Sequence, residues 1–448
     1  MTDTSTKPAA AISTTGSTSG PSSGPLTRFL RATEIDTRLL GMMGALLLIW
    51  LVFHFYGVIF NGFGAFLTPR NLWNVSVQMS SIGIMATGMV LVIVTRNIDL
   101  SVGAILGVTG MVMGILQVEI LPQYLGLGHP AIWVITVIVG ICVGGCIGAI
   151  HGWLIAYRGI PSFIVTLGGL LVWRGAAFLS ANGKTISPVD ATFTLLGGGP
   201  YGAIGAVGSW TVGVIACLGI LAALYAGRQS RKRHDFPVRP MWAEIFMGLL
   251  GCGLVIGAVL VVNAYPWPRG IVNSYIEANG IVLAEGETLF ISHGFAYPVL
   301  IMLTVALLMT LLVSRTRFGR YVFAIGGNPE AAALAGINVR WMTLRIFALM
   351  GALAGLAAVV ASARLNSATN ALGLLDELYV IAAAVVGGTS LAGGVGTIYG
   401  AILGALVMQS LRSGMVLIGF DTAVQQIVVG SVLVLAVYLD NLYRNRAK

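Results

Sequence analysis

Nine stretches of this chain are long and apolar enough to read as membrane crossings. They fall at about 39–60, 72–95, 102–121, 131–156, 162–180, 208–227, 241–263, 294–314 and 341–362. Most reach the ~20 residues that a helix needs to cross ~30 Å of hydrocarbon. The composition agrees. Of 448 residues, 57% are hydrophobic and 9% charged, against about 25% charged in a soluble domain. A charge in mid-span costs roughly 2.5–3.5 kcal/mol on insertion, which explains the deficit. The class is an all-α polytopic membrane protein.

The net charge of +9 is concentrated in a few places. Residues 228–240 hold five basic side chains against Asp235, and residues 315–345 hold five against Glu330. The head 1–38 and the tail 440–448 are also net positive. This is the positive-inside pattern of cytoplasmic segments, and nothing in it requires nucleic acid. A chain that starts inside places 228–240 and 315–340 in the cytoplasm after the successive crossings. Residues 264–293 then lie outside, with three Glu against one Arg. Of the first 25 residues, 21 are Ser, Thr, Ala, Gly or Pro, which predicts a disordered tail and no signal peptide.

The C-terminal third poses a parity problem. After nine crossings the chain is outside at about 363–376, and a final span at 422–440 must bring Arg444, Arg446 and Lys448 back inside. Residues 377–411 must therefore cross an even number of times. Gly387-Gly-Thr-Ser-Leu-Ala-Gly-Gly394 breaks that stretch. The arm before it is only about 15 Å long at ~1.5 Å per residue, too short to span. A re-entrant helical hairpin near the C-terminus, over 377–411, is predicted, its turn buried in protein or a wet cavity because unpaired backbone in lipid is costly. The expected organisation is a cytoplasmic tail over 1–38, a single domain over 39–440 with about ten transmembrane helices plus the hairpin, and a cytoplasmic tail over 441–448.

Polar residues between the runs are the candidate site residues. Arg96-Asn97-Ile-Asp99-Leu-Ser101-Val-Gly103 interrupts two runs. Asp99 and Ser101 suit capping of the next helix, where a carboxylate meets the positive end of the dipole, and equally suit lining or gating a solute path. Arg174 lies inside the 162–180 run and needs a partner or water. Asn182-Gly-Lys-Thr185 imitates the end of a phosphate loop, but Phe178 stands where the first glycine is required and no strand precedes it. Cys142, Cys146, Cys217 and Cys252 form no CxxC pair and read as small hydrophobes. His129, His151 and His293 lack ligand-spaced partners and read as interfacial residues. No metal or cofactor is predicted for this chain. Glycines four apart, such as Gly140/Gly144/Gly148/Gly152, Gly253/Gly257 and Gly351/Gly355, read as close helix packing.

The polar stretch 315–339 carries a different signal. From Glu330 on it is written as a short Ala-rich helix outside the bilayer, which implies that something docks there. Glu330-Ala-Ala-Ala-Leu-Ala-Gly336 fits Glu-Ala-Ala-x-x-x-Gly. Four further motifs accompany it in chain order: Asn97-Ile-Asp-Leu-Ser-Val-Gly103, Pro161-Ser-Phe-Ile-Val-Thr-Leu-Gly168, Thr316-Arg-Phe-Gly-Arg320 and Ile381-Ala-Ala-Ala-Val-Val-Gly-Gly-Thr-Ser-Leu-Ala-Gly-Gly394. Over roughly residues 70–440 the chain resembles the membrane permease subunit of bacterial sugar ABC importers, the ribose/xylose/galactose group. The insert around 206–263 makes it most similar to the xylose-transport permeases.

The resemblance implies a non-catalytic subunit of the bacterial inner membrane with both termini cytoplasmic. It implies a second permease copy, cytoplasmic ABC ATPase subunits that hold the ATP and magnesium, and a periplasmic sugar-binding protein. It places ATPase coupling at Arg320, Asn328, Glu330 and Gly336. Together with the polar breaks between the runs, the expected path or gate falls at Arg96, Asn97, Asp99, Ser101, Arg174, Thr389 and Ser390. Two positions depart from the family pattern: Arg96-Asn97 replace a Gly-Gly pair, and Tyr379 replaces an acidic residue. The competing class is a self-contained secondary transporter or channel, which would need ionisable residues in mid-span.

Overall fold

The computed structural model describes residue 29 and residues 32–34, 36–284 and 287–447, so the head over 1–28 and Lys448 lie outside the described residues. Helix α1 is Thr37–Asn61, α2 Pro69–Val94 and α3 Val102–Ile115, the last prolonged by a π turn at Leu116–Ile120 and a final turn at Leu121–Leu125. Then come α4 Ala131–Arg158, α5 Ser162–Ser180, α6 Gly205–Arg233, α7 Met241–Asn263 and the short α8 Arg269–Ala278. They are followed by α9 Tyr297–Arg315, α10 Arg317–Gly327, α11 Pro329–Leu334 and α12 Val339–Leu365. The chain closes with α13 Asp376–Val386, α14 Ile398–Leu417 and α15 Thr422–Ala447. Among the described residues, ten helices are long and apolar enough to cross a membrane. Nine follow the runs read from the sequence, and the tenth is α14.

Local chemistry sets several ends. Pro69 opens α2 behind Thr68, whose hydroxyl accepts the Asn71 N–H. Asn338 caps α12 through the Trp341 N–H at 2.9 Å, and Thr397 caps α14 through the Gly400 N–H at 3.2 Å. The π turn in α3 lies just ahead of Pro122. Proline has no N–H for the carbonyl four residues back and its ring crowds that carbonyl, so the preceding turn widens.

Burial separates a centre from a periphery. In the apolar window of α2, 89% of residues are buried, against 11% in α1 and in α6. Helices α12, α14, α9 and α13 surround α2, and α4 packs along α12. The α4–α12 seam brings backbone to backbone. A Cβ on Gly144 or Gly148 would meet the carbonyls of Gly351 or Phe347, and one on Gly351 would meet that of Gly144. Small residues make this approach possible, and with it dispersion contact between helices that hydrophobicity alone does not drive together in lipid. Gly253 on α7 has open space around it.

The C-terminal hairpin reaches further than the sequence suggests. From Asn366 the chain runs beside α3: Ala368 bridges Ile186, and Gly373 lies against Gly103. Helix α13 continues the descent, and the turn after it donates the Gly394 N–H to the Val94 carbonyl at the end of α2, at 2.9 Å. Residues 366–386 therefore traverse the bundle as an irregular run of turns plus a half-helix, and α14 returns with 20 residues, about 30 Å. The parity is still even. The short arm of α13 concealed the crossing, because the turns ahead of it carry part of the descent.

The side carrying α10 and α11 (the near side) also carries the described part of the head, Phe29 and residues 32–34. Glu34 accepts Arg231 and Arg239 at 2.7 Å each, and Phe29 packs on Trp242 and Phe246. This staples the head to the α6–α7 hairpin.

Gly351→Val should destabilise the bundle by about 1–3 kcal/mol through overpacking, while Gly253→Val should be nearly neutral; thermal unfolding in detergent distinguishes them. The Arg231 and Arg239 hydrogen bonds lower the Glu34 carboxyl from its ordinary 4.5 to about 2. A depressed folded-state value stabilises above the unfolded one, so the staple holds from neutral pH down to about 4.5 and is lost as pH falls towards 2. Amide exchange at 32–36 should report that loss, and Glu34→Gln should lack the protection at every pH.

Candidate functional site

The site begins where α2 ends. Arg96 takes a left-handed conformation at φ 62°, which turns its side chain toward α10. Its Nε donates to the Gly326 carbonyl at 3.0 Å and its Nη2 to Gly327 at 2.6 Å. A cation on the last carbonyls of a helix complements the negative end of the dipole. The 387–397 turn closes on the same point through Gly394, and this turn holds Thr389, fully buried, and Ser390. Arg96, Thr389 and Ser390 thus stand together at the root of α10 and α11. Asn97 bonds locally, its amide donating to the Thr95 carbonyl at 3.0 Å.

Helix α11 projects from this root. Asn328 caps it, its Oδ1 accepting the N–H groups of Glu330 and Ala331 at 3.0 Å each. Gly336, at φ 85°, turns the chain out of it, a conformation that costs a side chain with a Cβ. Glu330 and Arg320 are exposed, and Leu334 is 91% exposed. An apolar side chain so far out on a knob of alanines packs on nothing among the described residues.

Below Arg96, a chain of hydrogen bonds runs through buried side chains. Trp173 Nε1–H donates to His151 Nε2 at 3.0 Å, so the neutral ring carries its proton on Nδ1, which faces Ser101 Oγ at 3.2 Å. Ser101 in turn donates its hydroxyl to Asp99 Oδ1 at 2.5 Å, and Asp99 also accepts the Ser101 N–H at 2.9 Å. The order differs from a nucleophilic triad, since His151 donates to the serine and the serine to the carboxylate. Neither Asp99 nor Ser101 caps the first-turn N–H groups of α3 as the sequence suggests. Asp99 instead folds the 95–101 loop upon itself beside the helix end. His151 reads in the sequence as interfacial; it is 3% exposed and central. Its signal was its position one turn inside an apolar run.

Arg174 clasps the turn-rich segment. Its Nη1 donates to the carbonyls of Asn370 and Leu372 at 3.1 and 2.8 Å, and its Nη2 to Gly373 at 3.1 Å. These carbonyls lie outside any helix, so the guanidinium supplies donors that a regular helix would provide.

On the side opposite α11 (the far side), two adjoining cavities of about 600 and 420 Å³ open between α2, the end of α12, the 366–376 segment and α14. Asn74, Gln78 and Arg364 line both. Gln409 donates to Gln78 at 2.9 Å and Ser413 to Asn71 at 3.0 Å. Asp376 and Arg412 complete the larger cavity, and the Arg412 guanidinium lies 5.2 Å above the Tyr379 ring. Amides, a hydroxyl and opposed charges in one cavity suit a neutral, many-hydroxyl solute. The sequence reading missed this set. Its signal was Asn71, Asn74 and Gln78 at helical spacing on one face of an otherwise apolar span.

Arg174→Met keeps the stem and removes the donors. It should cost at least about 3 kcal/mol, the sum of charged hydrogen bonds to buried acceptors, and should raise amide exchange across 366–375.

The family model described as "branched-chain amino acid transport system / permease component" matches residues 71–437. The xylose transport system permease protein XylH of Haemophilus influenzae is 38% identical over 377 residues, covering 84% of this chain and 90% of its own. XylH of Escherichia coli K12 is 36% identical over 384 residues, 86% of this chain and 88% of its own. The ribose import permease protein RbsC of E. coli K12 is 32% identical over 376 residues, 84% and 87% of the two chains. No solved structure matches. The chain belongs to the branched-chain amino acid transport system / permease component family.

Proposed function

We propose that this chain is the membrane permease subunit of an ATP-driven importer for a monosaccharide, with xylose the first sugar to test. The observation that carries the reading is the exposed α11 knob, with Leu334 at its tip, rooted by Arg96 and the 387–397 turn to the bundle. The likeness to XylH supports the sugar class.

In this reading the near side is cytoplasmic, as its basic loops favour, and both termini lie there in the bacterial inner membrane. A cytoplasmic ABC ATPase, which holds the ATP and magnesium, takes α11 in a surface cleft. Its closure moves α10 and α11 as one lever, and Arg96 passes the motion to the 95–101 loop and the head of α3. A periplasmic sugar-binding protein delivers solute to the far-side cavity, where Asn71, Asn74, Gln78 and Gln409 exchange hydrogen bonds with its hydroxyls. A second copy of the chain completes the pathway. Arg320, Asn328, Glu330 and Gly336 carry coupling. Asp99, Ser101, Thr389 and Ser390 hold the gate, with Asn97 and Arg174 as its supports.

In the assembled complex, Glu330→Lys and Gly336→Val should lose most sugar uptake and most stimulation of ATP hydrolysis at unchanged membrane abundance. Asn328→Ala, which removes about 1 kcal/mol of capping, should lower both partially. Full uptake by Glu330→Lys would remove the coupling role, and uptake by the chain without any ATPase would favour a self-contained carrier or channel.

A further inference from the structure

The α6–α7 hairpin stands apart from the site described above. Its near-side loop holds five basic side chains, and the structure sorts them into two groups. Arg228 pairs with Glu244 at 2.6 Å, and Arg231 and Arg239 share Glu34 at 2.7 Å. Lys232 and Arg233 have no acidic partner among the described residues.

Lys232 stands where two depressions meet. One, of about 630 Å³, is polar, with Gln229, Ser230, Arg233 and His234. The other, of about 540 Å³, is a groove between α6 and α7 lined by Leu221, Leu224, Tyr225, Ile245 and Leu249. Phe29, Trp242 and Phe246 cluster at the same end. Aromatic rings of this kind mark the head-group level of a bilayer.

We propose that this groove binds an anionic phospholipid, with its phosphate on Lys232 and Arg233 and one acyl chain lying between α6 and α7. Three observations favour this occupant over others. The two cations form no ion pair among the described residues, and the loop stays net positive after Asp235, Glu34 and Glu244 are counted, so a net negative head group gains what a zwitterionic one does not. The groove is apolar and lies between two helices long and apolar enough to cross a membrane, which suits an acyl chain and not a soluble anion. The partition of the cations matters too: every acidic side chain found pairing with this loop is already engaged by Arg228, Arg231 or Arg239, leaving Lys232 and Arg233 for a ligand.

The test uses the full-length protein in detergent, loaded with phosphatidylglycerol and phosphatidylcholine of identical acyl chains, with retained copies counted by native mass spectrometry. Wild type should retain phosphatidylglycerol preferentially. Lys232→Gln with Arg233→Gln should lower that preference about 30-fold, from two cations each worth about 1 kcal/mol at a lipid surface. Ile245→Trp, a change at an exposed groove residue, should displace the lipid while both cations remain. Equal retention of the two lipids by wild type overturns the proposal, and needs no variant to fold. So does an unchanged preference in the double variant. Displacement by inorganic phosphate alone would assign the cations to a free anion. Loss of ATPase binding in the double variant with lipid preference intact would assign them to a protein surface.

Discussion

Backbone that leaves a helix inside hydrocarbon must find its hydrogen bonds within the protein, and this requirement organises the whole bundle. Three irregular segments lie among the spans, at 95–101, 366–375 and 387–397. Each is met by a particular device. Asp99 closes the first loop on its own Ser101 N–H and hydroxyl. Arg174 gives three donors to the second. The third borrows the end of α2 through Gly394 and Val94. Asp99 and Arg174 are therefore spent on keeping irregular chain at depth.

That arrangement needs a rigid frame, which the α4–α12 seam supplies. Glycine on both sides lets carbonyls of one helix rest on the other, so neither helix can rotate without steric conflict. The α6–α7 hairpin is framed differently, by a half-buried pair between Arg228 and Glu244 and by the exposed Glu34, which Arg231 and Arg239 share. Pairs to an exposed carboxylate such as Glu34 are individually weak and screened by salt. Stiffness thus falls from the centre outward, and α10 attaches to the stiff part through Arg96.

How much was legible in the sequence follows from the same physics. Spans were readable because hydrocarbon imposes one length and one composition on every crossing. The short helix from Glu330 to Gly336 was readable because its alanine run and closing glycine are local signals. The reach of the C-terminal hairpin was not, because its first crossing is only half helical and its apolar run too short to register. The hydrogen-bond chain from Trp173 to Asp99 was also hidden, since it joins residues on three separate segments that only the packing of α4 against α5 brings together. The cavity amides were visible as periodic residues on α2 but were outweighed by the apolar count of that span. Arg96 was placed correctly at a helix end, yet its partners at Gly326 and Gly327 lie 230 positions away.

The irregular segment at 366–375 has a consequence for how the protein is made. A translocon releases a segment into lipid according to its hydrophobicity over roughly 20 residues. Asn366-to-Val386 presents Arg174-dependent open backbone together with Asp376 and Glu377, and cannot be released on its own merits. It has to wait until α2, α3, α5 and α12 have assembled a slot that satisfies its carbonyls. Biogenesis then has an order that differs from synthesis: α14 and α15 leave the ribosome while the crossing before them is still unplaced, and that crossing is drawn in last.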